Sequence, residues 1–447
     1  MAALSHTSVM DRGDAFWSRN LATVVKTVLV MRIEARDAAT TLTESELADK
    51  IFGASGDKIN LSSRFRDCSD GQMLMQPVTG IGTHGVYTIR LPTYNVTGVN
   101  APTVISMARS TVTAALGTDP KNLANHVIFC LPPGTLGGRW IAYAAINYWQ
   151  SAYNDLWCQY PSALMHEIGH NLGLDHAGDG ADEYGDNTGM MGSAYGGDDE
   201  GPLMCFNAAN TWQLGWYTDY RVDLPIMNSY VWSGSLIGLA EKNSAIASDK
   251  MMIRIRSASD YYIHFNRQIG MNNGTKEGFN KVLVTSRATG LGPAKSTLLA
   301  KLAANGVHSF PIVDGSNIDL TVTVTAMSLT DVPARASISI NFRGLAPSTD
   351  PTSMPATARS NSPTIATTKS PTRAPSKSTT AAPPKSPTRK PTKPSCNNNG
   401  KCEPGENCVS CRSDCRGGNW GYPITNPMCC IGGACATRCS DKGWRCT

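Results

Sequence analysis

Residues 165–176 decide the fold of the region around them, and they read Met165-His166-Glu167-Ile168-Gly169-His170-Asn171-Leu172-Gly173-Leu174-Asp175-His176. Residues four apart on a helix share a face, so the pattern predicts a helix that presents His166 and His170 side by side. A second row with the same spacing lies about 200° away, at roughly 100° per residue. It consists of Leu164, Ile168 and Leu172. One face should therefore pack on a core while the opposite face offers two imidazoles to a cleft.

The residues after this helix supply a third imidazole. Gly173 allows a backbone conformation closed to other residues, which ends the helix in a sharp turn and can bring His176 back. Three neutral imidazoles leave one tetrahedral position of Zn²⁺ open, as a catalytic site requires. Glu167 can reach a water beside the first histidine and transfer its proton to a leaving amine. The alternative, a core helix with incidental histidines, would have to place three of eight histidines in one stretch.

The extended motif resembles that of the metzincin clan of zinc endopeptidases. This resemblance implies an α+β catalytic domain with a mixed twisted sheet and long helices. It also implies a methionine turn beneath the metal, and Gly189-Met190-Met191-Gly192 follows the third histidine at a suitable distance. Met191 is the expected methionine, with Met190 or an ordinary apolar loop as alternatives. The residue after the third histidine often marks the family within the clan, and Ala177 matches none of the astacins, serralysins, adamalysins and matrixins.

A longer stretch resembles one family in particular. The block from Tyr184 (YGDNTGMMGSAYGGDDEGPLMCFNAANTWQLGWY) is similar to gametolysin, the cell-wall metallopeptidase family of volvocine green algae, as are Ser63–Ser69 and Gln268–Gly274. The resemblance runs from about Lys26 to Phe342. It implies a secreted endopeptidase that cleaves Pro- or hydroxyproline-rich wall and matrix glycoproteins.

Two other features near the motif have open interpretations. An acidic loop follows the third histidine and could bind calcium, although its spacing does not fit an EF-hand and a solvated loop is preferred. Its residues are Asp179, Asp182, Glu183 and Asp186. Trp140 and Tyr143 lie three apart on a predicted strand, so we expect them on opposite sides. One of them could line a substrate groove that works by strand addition, or both could pack in the core.

The pattern of apolar residues predicts five domains or segments. Strands are predicted at 27–35, 126–130 and 139–146, and helices at 43–52, 102–116 and 156–174, with Thr43 and Glu46 as a capping box. Alternating β-branched runs at 251–255, 261–265, 281–285, 318–325 and 336–342 indicate a β-rich, sandwich-like domain. The predicted organisation is an N-terminal extension (1–24), a catalytic domain (25–217), the β-rich domain (218–344), a linker (345–395) and a Cys-rich module (396–447).

The linker and the last module have unusual compositions. Between Ala346 and Ser395, 11 of the 26 prolines lie among 20 Ser and Thr residues, which is typical of a disordered, extended spacer and of an O-glycosylated stalk. Ten of the 14 cysteines lie from Cys396 onward, which favours disulfides rather than zinc there and an oxidising, extracellular setting. Trp420, Tyr422 and Trp444 could contact carbohydrate or fill a small core.

Signals for secretion are mixed. The sequons that begin at Asn60, Asn95 and Asn273 are compatible with a secreted glycoprotein. Residues 1–20 lack the basic start and apolar stretch of a secretory signal. We therefore expect an incomplete gene model or an omitted leader.

Composition and charge exclude several functions. No apolar run approaches the roughly 20 residues that cross a bilayer, so no membrane span is expected. The net charge is +5, but eight basic residues and one Asp within 346–395 contribute +7 and leave −2 for the rest. Nucleic-acid binding by a folded surface is therefore unsupported. Two hypotheses remain, a secreted zinc endopeptidase and a non-catalytic wall or adhesion protein with a structural metal.

Overall fold

The computed structural model describes residues 23–138, 140–193, 196, 200–289, 293–312 and 318–344, with two short strands near the C-terminus. Nearly all of the predicted N-terminal extension, the linker and most of the Cys-rich module lie outside the described residues. The predictions for those segments therefore stay predictions.

The described part of the chain contains both helices and strands. The helices are α1 (Glu44–Phe52), α2 (Leu61–Cys68), α3 (Ala101–Leu116), α4 (Pro161–Asn171) and α5 (Ala208–Gln213). The strands of the first half are β1 (Val24–Ala35), β2 (Met73–Pro77), β3 (Val86–Leu91), β4 (His126–Leu131), β5 (Ala142–Ala144), β6 (Gln150–Asn154) and β7 (Ala177–Asp179). The predicted α+β class is thus confirmed.

The second half is built from strands. They are β8 (Arg221–Leu224), β9 (Val231–Leu236), β10 (Met252–Ile255), β11 (Ser259–Asn266), β12 (Lys281–Ala288), β13 (Ser296–Leu302), β14 (Val307–Pro311), β15 (Ile318–Ser328) and β16 (Arg335–Gly344). A short antiparallel pair, β17 (Cys429–Ile431) and β18 (Ala434–Ala436), is the described part of the Cys-rich module. All five runs predicted as strands in this half are strands.

The first sheet is mixed, and helix α4 lies against it. Its order is β2-β1-β4-β6-β5, and β3 also pairs with β1. The long β1 pairs with β2 through its first half and with β3 through its second half. All pairs are parallel except β5 with β6, which is antiparallel and places β5 at the edge. Helix α4 packs against β5 and β6.

Two further sheets share a second apolar core. The orders are β7-β13-β12-β11-β10-β8 and β14-β15-β16-β9. One face of the first of these contributes Ile253, Ile263 and Val284 to the core shared with the other sheet, while Met252 and Tyr262 pack with the core around α4. Strand β11 is consequently buried at seven consecutive positions, since both of its faces are covered.

The helix ends follow local sequence signals. Thr43 accepts a hydrogen bond from the Glu46 amide, and the Glu46 side chain accepts from the Thr43 amide, which confirms the predicted capping box. Helix α4 begins at Pro161 rather than at the predicted residue 156. A proline disfavours helical backbone at the preceding residue, and Tyr160 is accordingly extended with ψ 119°.

A strand pairing crosses the predicted boundary after residue 217. Strand β7, from the predicted catalytic domain, joins the six-stranded sheet of the second half through β13. The described residues up to 344 belong to one compact unit. The two halves up to residue 344 therefore share a sheet and a core, and their description as separate domains stays a prediction.

Two disulfides cross-link the described core. Cys68 pairs with Cys205 and Cys130 with Cys158. The first joins α2 to the segment before α5, and the second joins the end of β4 to the turn before α4. None of the described helices combines the length and apolar character needed to cross a bilayer.

Candidate metal centre

Helix α4 brings the first two candidate ligands together in a buried position. His166 and His170 lie one turn apart, with ring centroids separated by 4.8 Å. They are only 2% and 5% exposed. Every residue of the helix is buried. The face that carries the histidines is therefore less open to solvent than the sequence predicts.

A glycine turn then returns the chain to the site. The predicted left-handed conformation of Gly173 is confirmed by its φ of +95°. The Gly173 amide donates to the His170 carbonyl at 2.9 Å, and the Leu174 amide donates to the Gly169 carbonyl at 3.0 Å. These are the two bonds of a Schellman cap, which reverses the chain beyond a helix. The ring of His176 consequently lies 4.8 Å from that of His170 and 5.5 Å from that of His166.

The three imidazoles fit a zinc ion. One ligand atom from each lies within 4.8 Å of the others. The Nδ1–H of His166 donates to the Met190 carbonyl at 2.8 Å, and that of His170 to the Leu174 carbonyl at 2.9 Å. The Nδ1–H of His176 donates to Glu183 Oε1 at 2.7 Å. With Nδ1 protonated in each ring, Nε2 is the nitrogen through which each histidine would bind a metal.

The electrostatic setting keeps two of these ligands unprotonated. Burial lowers the pKa of His166 well below its ordinary value, and the neighbouring histidines lower it further. Burial and then His176 lower the pKa of His170 to about 4. Metal binding needs neutral imidazole, so at neutral pH neither ligand has to lose a proton first.

The candidate general base lies beside the ligands. Glu167 follows His166 on α4 and is 2% exposed. Its charge contributes to raising the pKa of Tyr153, after the larger effect of burial. It also contributes to raising the pKa of Tyr184, after burial and Glu183. Its carboxylate is thus within electrostatic range of both phenols.

The methionine turn lies beneath the helix. Met190 and Met191 are both fully buried. Met190 supplies the carbonyl that orients His166. A Cβ added to Gly169 would lie 2.6 Å from Met191 Sδ, so the sulfur packs directly against the helix backbone between the two ligands. Of the two methionines, Met191 is the one whose sulfur lies against Gly169, and the absence of a side chain on Gly169 makes room for it.

The acidic loop is neither a convergent cluster nor fully solvated. Glu183 faces His176, as described above, and Asp179 lies 3.7 Å from Lys301 Nζ. Asp186 is completely buried, and its carboxylate accepts from the Thr188 amide at 3.0 Å and from Asn207 Nδ2 at 2.9 Å. Burial raises the pKa of Asp186. The preferred interpretation of this loop as solvated is therefore wrong for Asp186.

The arrangement expected of Trp140 and Tyr143 is also wrong. The observed strand β5 covers only Ala142–Ala144, so Trp140 lies before it. The two rings contact each other, with centroids 5.8 Å apart, and both pack on the core behind the first sheet. Because β5 begins only at Ala142, strand alternation does not relate the two side chains. The core-packing alternative holds.

Sequence reasoning overlooked Tyr184 as a residue of the site. Its ring lies 4.1 Å from that of His176 and is stacked 6.2 Å from that of His166. Burial, followed by Glu183 and Glu167, raises its pKa to about 12, so the phenol keeps its proton at neutral pH. The side chain is nevertheless 37% exposed, which leaves it within reach of a ligand from solvent. Its position in the quoted block carried no catalytic signal.

The sequence matches one family of known proteins over a long stretch. A family model described as "Gametolysin peptidase M11" matches residues 26–273. This match covers more than half of the chain and includes all three histidines and Glu167. The chain belongs to the gametolysin peptidase M11 family. The resemblance seen in the sequence is thereby confirmed.

A curated relative supports membership in the gametolysin peptidase M11 family. The chain is 38% identical to "Autolysin" from Chlamydomonas reinhardtii over 96 residues, which is 20% of this chain and 14% of autolysin. The match thus spans about a seventh of the length of that relative. No solved structure matches the chain. The family model describes these proteins as peptidases.

Proposed function

We propose that this protein is a zinc-dependent endopeptidase, secreted to the extracellular matrix or cell wall, that cleaves Pro- or hydroxyproline-rich glycoproteins. The observation that carries the proposal is the convergence of three imidazoles whose Nδ1 atoms are all engaged. This arrangement offers three imidazole nitrogens to one ion, which is the number of protein ligands typical of a catalytic zinc site that keeps a position for water or substrate. Family membership supports the hydrolytic reaction.

The chain's own residues divide the work of hydrolysis. His166, His170 and His176 would hold Zn²⁺, which when bound supplies the Lewis acidity that acidifies a water and polarises a peptide carbonyl. Glu167 accepts the proton of the attacking water on its carboxylate and delivers it to the nitrogen of the leaving amine. Met191 and Gly173 support the geometry, the first by packing under α4 and the second by allowing the turn to His176.

Tyr184 supplies a second polar group to the reaction. Its protonated phenol can donate a hydrogen bond to the carbonyl oxygen as negative charge develops there. The ring packs on His176, so the phenol lies beside the third candidate ligand. We therefore place Tyr184 with Glu167 in the catalytic machinery.

Substrate binding by strand addition fits the position of β5. This strand is the edge of the first sheet, antiparallel to β6, and packs against α4. An extended peptide could add beside β5 and pass the metal ligands. The proposed Pro-rich substrate class rests on the gametolysin resemblance.

The proposed extracellular setting rests on cysteine chemistry. Both described disulfides are buried in the folded core, and such bonds persist in oxidising compartments. Of the sequons, Asn60 is 3% exposed and caps α2 with its side chain, so it is not available for glycosylation in the folded protein. Asn95 and Asn273 are exposed. The linker and the Cys-rich module, for which we propose a contact with carbohydrate, would keep the enzyme near its substrate.

One substitution tests the enzymatic proposal. Glu167→Gln should retain zinc and lose peptidase activity on a generic protein substrate, and a chelator should abolish cleavage by the unmodified chain. Activity that persists in the variant would remove Glu167 from the mechanism. A zinc-loaded unmodified chain without any chelator-sensitive cleavage would favour the non-catalytic wall or adhesion protein.

A further inference from the structure

The third ligand is the one that α4 does not hold. His176 lies beyond the glycine turn, and its main-chain carbonyl accepts a hydrogen bond from the Ser296 amide at 3.1 Å. The next residues form β7, which pairs in parallel with β13, with Ala177 opposite Ser296. The backbone that carries the third imidazole thus leads directly into β7, the edge strand of the six-stranded sheet that contains β13.

A buried side-chain network reinforces this pairing. Asn207 Nδ2 donates to Ser296 Oγ and to Asp186 Oδ2, each at 2.9 Å. The Asp186 amide donates to the Ala177 carbonyl at 3.1 Å. Ser296, Asp186 and Asn207 are at most 1% exposed. The contacts therefore connect Ser296 of β13, through Asn207 at the N-cap of α5 and through Asp186, back to Ala177 of β7.

A second tie reaches the glycine turn itself. Gln213, at the end of α5, donates from Nε2 to the Gly173 carbonyl at 2.7 Å. Arg287, on β12, donates to Gln213 Oε1 and fixes the orientation of that amide. The turn between the second and third ligands is consequently held from β12, as His176 is held from β13.

We propose that β12 and β13 are a positioning element for the metal centre, with Ser296 and Arg287 as positioning residues for His176. This inference rests on the zinc site of the proposed function. A ligand on an unsupported turn would lose conformational entropy on binding the ion, which weakens affinity. Partners of metal ligands typically change affinity 10–100-fold when replaced. The β-rich half thus sets the metal affinity of a motif about 120 residues earlier in the chain.

Zinc affinity tests the proposal independently of catalysis. Ser296→Ala and Arg287→Met are compared with the unmodified full-length chain by competition against a chromophoric chelator. The expected result is about 10–100-fold weaker zinc binding for each variant. Ser309→Ala and Arg256→Met are matched controls. Ser309 forms a hydrogen bond with Thr321 between β14 and β15, and Arg256 forms an ion pair with Asp223. Both controls should bind zinc as the unmodified chain does.

Two further readouts separate positioning from general stability. In a His176→Ala background, Ser296→Ala should cause no additional loss of affinity, and Co²⁺ absorption of Ser296→Ala should shift toward that of His176→Ala. Equal losses in both backgrounds, or variants with unchanged affinity and Co²⁺ spectra, would overturn the proposal even if thermal unfolding shifts. A chain that binds zinc but cleaves no peptide would contradict the proposed function alone, since these affinity comparisons need no activity.

Discussion

The carboxylate of Glu183 decides which nitrogen of His176 faces the metal position. It accepts a hydrogen bond from Nδ1, 2.7 Å away, and so fixes the tautomer with a free Nε2. His166 and His170 use main-chain carbonyls for the same purpose. The third ligand is therefore the one whose orientation a side-chain substitution can release.

Glu183→Ala should weaken zinc binding about 10–100-fold, because the imidazole of His176 loses the group that orients it. Glu183→Gln keeps an acceptor oxygen, so its affinity should fall between those of Glu183→Ala and the unmodified chain. The measurement is a zinc titration. Asp179→Ala is the control, since Asp179 lies in the same acidic stretch but faces Lys301. An affinity of Glu183→Ala equal to that of the control would contradict this role.

Tyr184→Phe should lower kcat about 10–1000-fold while KM and zinc affinity change little, because the lost hydrogen bond forms with charge that develops in the transition state. Steady-state kinetics on a peptide substrate and a zinc titration measure the two effects. Tyr94→Phe, at an exposed position, is the control. A rise in KM without a fall in kcat would show that Tyr184 only binds substrate.

At the scale of elements, α4 and the methionine turn pack closely because Gly169 has no side chain. Gly169 lies between the two helical ligands, and a Cβ there would approach Met191 Sδ to 2.6 Å and the Phe206 ring to 3.3 Å. Alanine is ordinarily the better helix former by about 1 kcal/mol. A loss of unfolding free energy on replacing Gly169 by alanine would therefore be due to packing, because helix propensity alone would increase the stability.

Gly169→Ala should lower the free energy of unfolding by about 1–3 kcal/mol, the usual cost of overpacking. The same substitution made in a Met191→Ala background should cost less or stabilise the protein, because the obstructing sulfur is gone. Denaturant unfolding of the four proteins in this cycle measures the difference. An equal cost in both backgrounds would show that Met191 does not pack against this glycine.

The elements that sequence predicts well are those with local signals. The i, i+4 histidines, the cap at Thr43 and the glycine after α4 each act within a few residues, and all appear where predicted. The pairing of β7 with β13 joins residues 177 and 296, and no local pattern encodes it. The contact of the His176 carbonyl with Ser296 is of this kind. Glu183 and Tyr184 meet His176 across a loop of irregular backbone, which has no periodic pattern that would have indicated those contacts.

At the scale of the whole molecule, two buried histidines make the fold sensitive to acid. Burial lowers the pKa of His264 to about 4, and burial with a smaller effect of Lys26 lowers that of His126 to about 4. Their ordinary value is 6.5. Between pH 6.5 and pH 4 the unfolded chain therefore binds more protons than the folded chain, and stability decreases as pH falls through this range.

His264→Gln should reduce the slope of unfolding free energy against pH in this range by roughly 1.4 kcal/mol per pH unit, the contribution of one imidazole. Denaturant unfolding at several pH values measures the slope, and His126→Gln should have a similar effect. His84→Gln, at an exposed position, is the control. An unchanged slope in His264→Gln would show that this imidazole already takes a proton inside the fold.

The proposed activity as a whole rests on three imidazoles that converge on one ion. X-ray absorption at the zinc edge of the loaded, full-length protein measures their coordination directly. The prediction is one zinc per chain with three histidine nitrogens at about 2.0–2.1 Å, and loss of one of them in His176→Ala. A folded chain that takes up no zinc, or an identical spectrum in His176→Ala, would contradict the proposed metal centre.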